Sequence, residues 1–317
     1  MSVKREIAAE ADWDHAPSLL DGAVDVELSL HECDIEYWLK NVAQGSVMGM
    51  VRGRRPDTVI PPMLLEPGPL RSSRIAEVAF RALSEDAATR ICALITGGAP
   101  DVPTMEFYAT QTLDEARHAH SFRWHLVDLG VPEDRLFETI EQVAGADRDR
   151  IIGPMWEWGL PAVGDDYVKA IVMITVLLEG VLAPTTELAE RKWKPISEAS
   201  ADIERGACVD EIRHLAVGSW TVRDWLLRHG PEEKAKALEL IEEGRRKWES
   251  LPVADVLYER EREFQEGLEQ HRDEIDESYE LAPGRPLVDT TVDERVMMAA
   301  TWSVEVQDRR LRYMGLA

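Results

Sequence analysis

Two short segments of this chain share one pattern. Residues 114–118 read DEARH and residues 210–214 read DEIRH, and both lie in stretches with helical periodicity. In a helix, residues three apart lie on the same face, so each segment can direct a carboxylate and an imidazole to one point. The pairs are Glu115/His118 and Glu211/His214, and the chain has no other Glu-x-x-His pair. The shared Asp and Arg in both segments indicate that the two pairs belong to one site.

Each pair follows a helical stretch that carries one further glutamate. Glu85 lies in FRALSEDAATRICAL before the first pair, and Glu179 lies in ITVLLEGVLAP before the second. The second stretch is apolar nearly all round, which indicates a helix buried at the centre of a bundle. An ionised carboxylate there costs several kcal/mol unless it is paired or binds a metal. Four carboxylates and two imidazoles from four helices are the inventory of a di-iron or iron–manganese site.

One ligand position stays open at this point. Asp86 follows Glu85 directly, and a small change of helical register would exchange the two side chains.

The other long segments also show helical rather than alternating periodicity, and strand signals are scarce. We expect helices at about 25–48, 72–96, 104–130, 133–145, 165–193, 201–230, 231–248, 252–280 and 292–313. Thr104 is the expected N-cap of the third helix, and Gly130 the glycine that ends it. The pattern predicts an all-α bundle in one domain over 1–282, with a metal-site core at about 70–228. A linker and a C-terminal helical tail would follow over 283–317.

The composition argues against two classes of binding partner. Sixty acidic against 36 basic residues give a formal net charge of −24. This charge disfavours nucleic acid and anionic membrane surfaces, because both require a basic face. The apolar share of 44% is typical of a globular protein, and we find neither a secretory signal nor an apolar run that would span a membrane. Three widely spaced cysteines argue against a disulfide framework. We expect a cytoplasmic protein.

Residues at about 70–225 resemble the ferritin-like group that contains ribonucleotide reductase small subunits and related ligand-binding oxidases. The segments SEDAATRICALI, MEFYATQTLDEARHAHSFRWHLVDLG, LLEGVLAPT and VDEIRHLAVG carry the resemblance. It implies a ferritin-like four-helix bundle core with additional helices and a C-terminal extension. The metal ligands and catalytic residues that it implies are Glu85, Glu115, His118, Glu179, Glu211 and His214.

The resemblance also assigns roles around these ligands. Asp210 occupies the place of an acid that holds a ligand imidazole, whereas Asp114 is either a second such acid or a solvated residue. For Arg117 and Arg213 we expect ion pairs at the helix surface.

Some positions depart from the relatives in this group. Phe122 stands where reductase small subunits usually have a radical-bearing tyrosine. Ile174 and Ala88 stand where ligand-binding oxidases cross-link a tyrosine to a valine, and Ala207 stands where arylamine N-oxygenases have an extra histidine ligand. What remains is a six-ligand site without an obvious radical store. Neighbours at helical spacing are expected to shape a substrate pocket, namely Tyr108, Thr112, Phe122, Thr175, Ala207 and Cys208.

These features favour a non-haem dimetal oxidase or oxygenase that uses O2 to oxidise a small organic substrate. Two Fe ions, or Fe with Mn, would be its cofactors. We expect a biosynthetic tailoring step, such as hydroxylation, desaturation or N-oxygenation of an amine- or hydrazine-type substrate. A ferredoxin or reductase would donate electrons, and a homodimer is one alternative for the oligomeric state. The alternative function is a radical-generating ribonucleotide reductase small subunit without a tyrosyl radical, although the basic end DRRLRYMGLA is unlike the acidic docking tail of such subunits.

Overall fold

The computed structural model describes residues 7–47 and 49–317. Over these residues the chain is mostly helical, and its two short strands, β1 (Glu280–Ala282) and β2 (Arg285–Pro286), form one antiparallel hairpin. The all-α prediction is confirmed. The helices are α1 (Ile35–Tyr37), α2 (Pro69–Gly97), α3 (Val102–Asp128), α4 (Leu136–Asp147), α5 (Gly153–Asp165), α6 (Tyr167–Val172), α7 (Gly180–Trp193), α8 (Glu198–His229), α9 (Pro231–Glu249), α10 (Val253–Gln270) and α11 (Val292–Met314).

Several of these helices are joined by π-helix, in which the hydrogen bonds span one residue more than in α-helix. The π-helical stretches are Trp38–Val47 after α1, Arg148–Ile152 between α4 and α5, and Met173–Glu179 between α6 and α7. Single 3-10 turns lie at Ala9–Ala11, Ala23–Asp25, Pro62–Leu64, Glu133–Arg135, Arg272–Glu274 and Leu287–Asp289.

Aspartate caps set the start of two helices. The Asp34 carboxylate accepts a hydrogen bond from the Tyr37 backbone N–H at 2.8 Å, and the Asp101 carboxylate accepts one from the Thr104 backbone N–H at 3.0 Å. Such caps satisfy N–H groups that have no partner within the helix. The predicted start at residue 25 and the predicted N-cap Thr104 were therefore wrong.

The end of α10 and the presence of α5 also differ from the expected pattern. Helix α10 ends at Gln270 instead of reaching 280, because the chain turns into the β1–β2 hairpin. Gly284 lies in that hairpin turn with a φ of 71°, a conformation that glycine adopts without steric cost. The segment between the predicted helices at 133–145 and 165–193 was expected to be a loop, but it contains α5.

The helices pack as two hairpins with an outer layer. Helix α2 lies along α3, α7 lies along α8, α10 packs on α2, and α11 packs on α7. The continuous helical segment Tyr167–Trp193 is apolar and long enough to cross a membrane, but 72% of its most apolar window is buried inside the protein. Its contacts with α2, α8, α9 and α11 identify it as the central helix that the sequence predicted.

Helix α11 lies within the segment predicted as linker and tail, and it packs on the bundle through specific polar contacts. Arg295 is 1% exposed and donates to Glu261 of α10 at 2.5 Å. Ser303 Oγ donates to the Val181 carbonyl at 2.8 Å. The domain boundary at 282 stays a prediction.

Candidate metal centre

Four helical segments bring the six predicted ligands together in the interior of the bundle. Glu85 comes from α2, Glu115 and His118 from α3, Glu179 from the end of the π-helix before α7, and Glu211 and His214 from α8. Five of them are at most 7% exposed, and the Glu85 side chain is 14% exposed. The structure therefore produces the predicted convergence, and metal binding by these residues remains a prediction.

The side chains form two groups that share Glu115. In one group, potential ligand atoms of Glu85, Glu115 and His118 all lie within 4.8 Å of one another. In the other, those of Glu115, Glu179, Glu211 and His214 meet the same limit. A buried cluster of this composition could hold a metal ion.

Both imidazoles turn the same nitrogen toward the carboxylates. His118 Nδ1 lies 3.7 Å from Glu85 Oε2 and 3.6 Å from Glu115 Oε2. His214 Nδ1 lies 3.2 Å from Glu115 Oε1 and 3.6 Å from Glu179 Oε1. These separations are mostly too long for good hydrogen bonds, but they leave room for a metal ion between the atoms.

Unpartnered atoms point into this space. Buried polar atoms normally have a hydrogen-bond partner, and each exception calls for an explanation. Five buried atoms of the cluster have no such partner: His118 Nδ1, His214 Nδ1, Glu115 Oε1, Glu179 Oε2 and Glu211 Oε2. Since imidazole nitrogens and carboxylate oxygens are ligands for iron and manganese, the residues fit a dimetal centre.

Burial and crowding shift the pKa values of the cluster. Burial raises the pKa of Glu85 to about 7 and that of Glu179 to about 8, and the nearby Glu115 carboxylate adds to both shifts. Burial alone would lower the pKa of His214, but its contacts with Asp114 and Glu115 raise it to about 10. So many acidic groups in one buried space repel each other unless a cation lies among them.

The choice between Glu85 and Asp86 is decided by the orientation of α2. Glu85 faces the cluster, whereas Asp86 is about half exposed and forms an ion pair with Arg123 at 3.1 Å. Glu85 is therefore the α2 residue in the candidate centre.

An aspartate lies on the far side of each imidazole. His118 Nε2 is 3.0 Å from Asp210 Oδ2, and His214 Nε2 is 3.5 Å from Asp114 Oδ2. At His118 this contact is a hydrogen bond, so Asp210 accepts the Nε2 proton and leaves Nδ1 free to bind a metal. At His214 the Asp114 carboxylate is beyond the range of a good hydrogen bond, and the Arg213 guanidinium lies closer, 3.2 Å from Nε2. Asp114 is fully buried, so it is not the solvated residue of the alternative interpretation.

The two arginines of the motifs form ion pairs, as predicted, but these pairs lie between α3 and α8 rather than at the helix surface. Arg117 donates to Asp210, and Arg213 donates to Asp114. Longer contacts of 3.5 Å and 3.4 Å join Arg117 to Asp114 and Arg213 to Asp210. Arg213 is only 3% exposed. We call Asp114, Arg117, Asp210 and Arg213 the charge square.

Two residues near the centre were missed by the sequence analysis. Gln111 Nε2 donates to Glu179 Oε1, and Trp38 Nε1 donates to Asp114 Oδ1 at 3.1 Å. Gln111 lies one helical turn before Glu115 on the same face, so its spacing could have revealed it. Nothing in the local sequence points from Trp38 to Asp114, because this contact joins distant parts of the chain.

The π-helix that ends at Glu179 is held by side chains from the outer layer. Trp248 Nε1 of α9 donates to the Leu177 carbonyl at 2.7 Å, and Gln307 Nε2 of α11 donates to the Val176 carbonyl at 2.8 Å. A π-helical turn disturbs the regular hydrogen-bond ladder, so such partners stabilise it. They thereby help to fix the position of Glu179.

A cavity of about 140 Å³ lies beside the cluster, between α2, α7, α10 and α11. Four of the predicted ligands line it, namely Glu85, Glu115, Glu179 and Glu211. The neighbouring walls are mainly apolar and include Phe80, Ala88, Ile174, Leu178, Leu182 and Trp248. Its other end carries charges that are already paired, such as Lys192 with Glu261 at 2.6 Å. A second cavity of about 60 Å³ shares Phe80, Ala88 and Trp248 with the first.

The residues predicted to shape a substrate pocket, which are Tyr108, Thr112, Phe122, Thr175, Ala207 and Cys208, do not line either cavity in the described part of the chain. The Tyr108 ring packs edge-on against Phe107 and Tyr167, and Phe122 belongs to the apolar core. Thr175 lies against Gly218 of α8. Helical spacing identifies neighbours of a ligand on its own helix, but the packing of other helices decides which of them faces a cavity.

Comparisons with known proteins give no further assignment. No protein-family model matches the chain, and a search of curated proteins also gives no match. The arguments about function therefore rest on the motifs and on the geometry above.

Proposed function

We propose that this protein is a non-haem dimetal oxidase or oxygenase with a ferritin-like core, which uses O2 to oxidise a small and mainly apolar organic molecule. The observation that carries the proposal is the set of unpartnered glutamate and histidine atoms that converge beside an apolar cavity. The proposed chemistry requires metal ligands, a bound organic molecule and the exclusion of water at one place. The buried carboxylates and imidazoles beside an apolar cavity meet these requirements.

The two ligand groups assign residues to two ions. Glu85, Glu115 and His118 would hold one ion, and Glu179, Glu211 and His214 would hold the other together with Glu115. Oxygen and imidazole ligands suit iron and manganese alike. When bound, such a redox-active pair supplies electrons to O2 and oxidising power to a neighbouring substrate. A ferredoxin, a reductase or the substrate itself would supply the electrons.

The chain's own residues prepare this site. Asp210 holds the Nε2 side of His118, and Asp114 together with Arg213 lies against the Nε2 side of His214, so both Nδ1 atoms are directed inward. Gln111 occupies one oxygen of Glu179 by donating a hydrogen bond to it, so the other oxygen stays free. The apolar walls of the cavity keep water away from the reacting molecule.

Cavity size indicates the size of the substrate. An engineered apolar cavity of about 150 Å³ binds benzene in another protein, and the cavity beside the carboxylates is about 140 Å³. The smaller cavity beside it suits an apolar arm. A short alkyl or aryl amine or hydrazine fits this space, which supports hydroxylation, desaturation or N-oxygenation of such a compound. A radical-generating subunit would need no substrate cavity beside its carboxylates, so the cavity favours oxidation of a substrate that is bound within this protein.

Metal analysis tests the ligand assignment. Metal-free protein loaded anaerobically with Fe(II) should retain about two ions per chain, and Glu179→Ala and His214→Ala should each reduce this content sharply. Glu85→Ala should also reduce it, whereas the neighbouring exposed substitution Asp86→Ala should not. Unchanged metal content in Glu179→Ala or His214→Ala would contradict the proposal.

A second experiment tests the reaction class. The Fe(II) protein should consume O2 faster when small apolar amines or hydrazines are added, and mass spectrometry should detect their oxidised products. Its electron paramagnetic resonance spectrum after O2 should show no sharp tyrosyl signal. A tyrosyl radical close to one per chain would contradict the proposed oxygenase function.

A further inference from the structure

The charge square connects the two DExRH motifs in a reciprocal way. Asp210 precedes Glu211 on α8 but contacts His118 on α3. Asp114 precedes Glu115 on α3 but approaches His214 on α8. Each motif therefore places its acid beside the Nε2 atom of the other motif's histidine, and Arg213 also lies 3.2 Å from His214 Nε2.

The arginines link the aspartates of the two motifs through ion pairs. Each arginine donates to the aspartate of the opposite helix and also lies within 3.5 Å of the aspartate on its own helix. Both aspartates are fully buried. Removal of one member would leave an uncompensated buried charge, so we expect the four side chains to keep their arrangement as a unit.

We propose that the charge square couples the two histidines, so that the two metal ions of this centre are bound as a pair rather than independently. This inference rests on the proposed function, because it requires a site for two ions. Because the four side chains move as a unit, a metal ion that fixes the position of His118 also fixes Asp210, and through the arginines it fixes Asp114 and His214. Such a link is a coupling free energy between sites, and it acts equally in both directions.

Native mass spectrometry of the full-length protein tests the coupling. Metal-free protein receives one Co(II) per chain, and the species with zero, one and two ions are counted. If the two sites were independent, at least about half of the chains would hold a single ion at this average loading. We expect the wild-type protein to show a singly loaded share well below half.

Two variants test whether the charge square is the cause. Arg117→Met and Arg213→Met should each raise the singly loaded share to half or more. Arg74→Met is the matched control, because Arg74 is also fully buried and pairs with Glu204 at 2.6 Å, but it contacts neither histidine. It should lower the melting temperature and keep the wild-type distribution. Arg213→Lys keeps the charge and should give an intermediate distribution, which secures the test if Arg213→Met does not fold.

The outcomes separate this inference from the proposed function. A wild-type distribution with half or more of the chains singly loaded would overturn the coupling alone. The same conclusion follows if folded Arg213→Met keeps the wild-type distribution, or if Arg74→Met changes it as much. Failure of the wild-type protein to bind any Co(II) would overturn the proposed function as well.

Discussion

Gly218 lies where α8 approaches the π-helix, and this contact predicts the effect of one added methyl group. A Cβ atom at residue 218 would lie 2.1 Å from Thr175 Oγ1 and 3.0 Å from Thr175 Cγ2. Ordinary contacts are longer by more than an ångström, and the Thr175 side chain is buried between helices, so it cannot simply turn away. Insertion of extra atoms into a packed interior costs about 1–3 kcal/mol.

The expected net effect includes an opposing term. Alanine favours the middle of a helix over glycine by about 1 kcal/mol. Gly218→Ala should therefore destabilise the protein by up to about 2 kcal/mol, which lowers the melting temperature by about 2–4 °C for each kcal/mol. Because residue 218 follows His214 by one turn and residue 175 precedes Glu179 by one turn, the displacement should also weaken Co(II) binding.

Thermal unfolding followed by circular dichroism, with Co(II) titration of the folded protein, measures both effects. Gly164→Ala is the control, since a Cβ there meets nothing within 4 Å. Thr175→Ala should rescue Gly218→Ala, because it leaves only the Thr175 Cβ contact at 3.1 Å. The reasoning is refuted if Gly218→Ala is as stable as Gly164→Ala, or if the second substitution recovers nothing.

Three other predictions concern charge, space and metal. Burial would raise the pKa of Glu77, but Lys192 and Arg74 lower it to about 2. This acid therefore stabilises the fold above pH ~4.5 and loses that effect as the pH falls toward 2, a contribution of about 3 kcal/mol. Urea unfolding at several pH values should show a flatter acid dependence for Glu77→Gln, and an unchanged curve would contradict the assignment. Ala88→Phe should fill the cavity next to the carboxylates and weaken benzene binding at least about tenfold, measured by calorimetry, while the Co(II) content stays at the wild-type level. A chelator should lower the melting temperature of Co(II)-loaded protein, since free metal at about 100 times its dissociation constant contributes about 3 kcal/mol; an equal melting temperature with and without Co(II) would argue against a site in the folded state.

The parts of the site that follow from one helix were predictable from the sequence. Glu115 and His118 share a face because of helical spacing alone, and Glu179 was conspicuous because its helix offers no polar neighbour. The choice of Glu85 over Asp86 was not predictable, because adjacent residues differ by about 100° around a helix and only the packing of α2 fixes its orientation.

Contacts between helices account for most of what the sequence did not reveal. The burial of Arg117 and Arg213 depends on how α3 and α8 pack against each other. The sequence of one helix does not show which residues of another helix will contact its charged side chains. The lining of a cavity depends on the same contacts, since Thr175 faces α8 rather than either cavity beside the carboxylates. The π-helix before Glu179 was not predictable from a sequence periodicity. Hydrogen bonds from side chains of α9 and α11, which are distant in the sequence, stabilise it.

The hydrogen bonds from Trp248 and Gln307 have a consequence for attempts to shorten the chain. A fragment that stopped near residue 228 would keep all six candidate ligands, yet it would lose the donors to the Leu177 and Val176 carbonyls. Those groups would then turn to solvent or rejoin a regular α-helical ladder, and Glu179 would rotate with them. The smallest fragment that keeps this arrangement is therefore expected to extend through α11, so that sequence remote from every candidate ligand determines whether the candidate ligands meet.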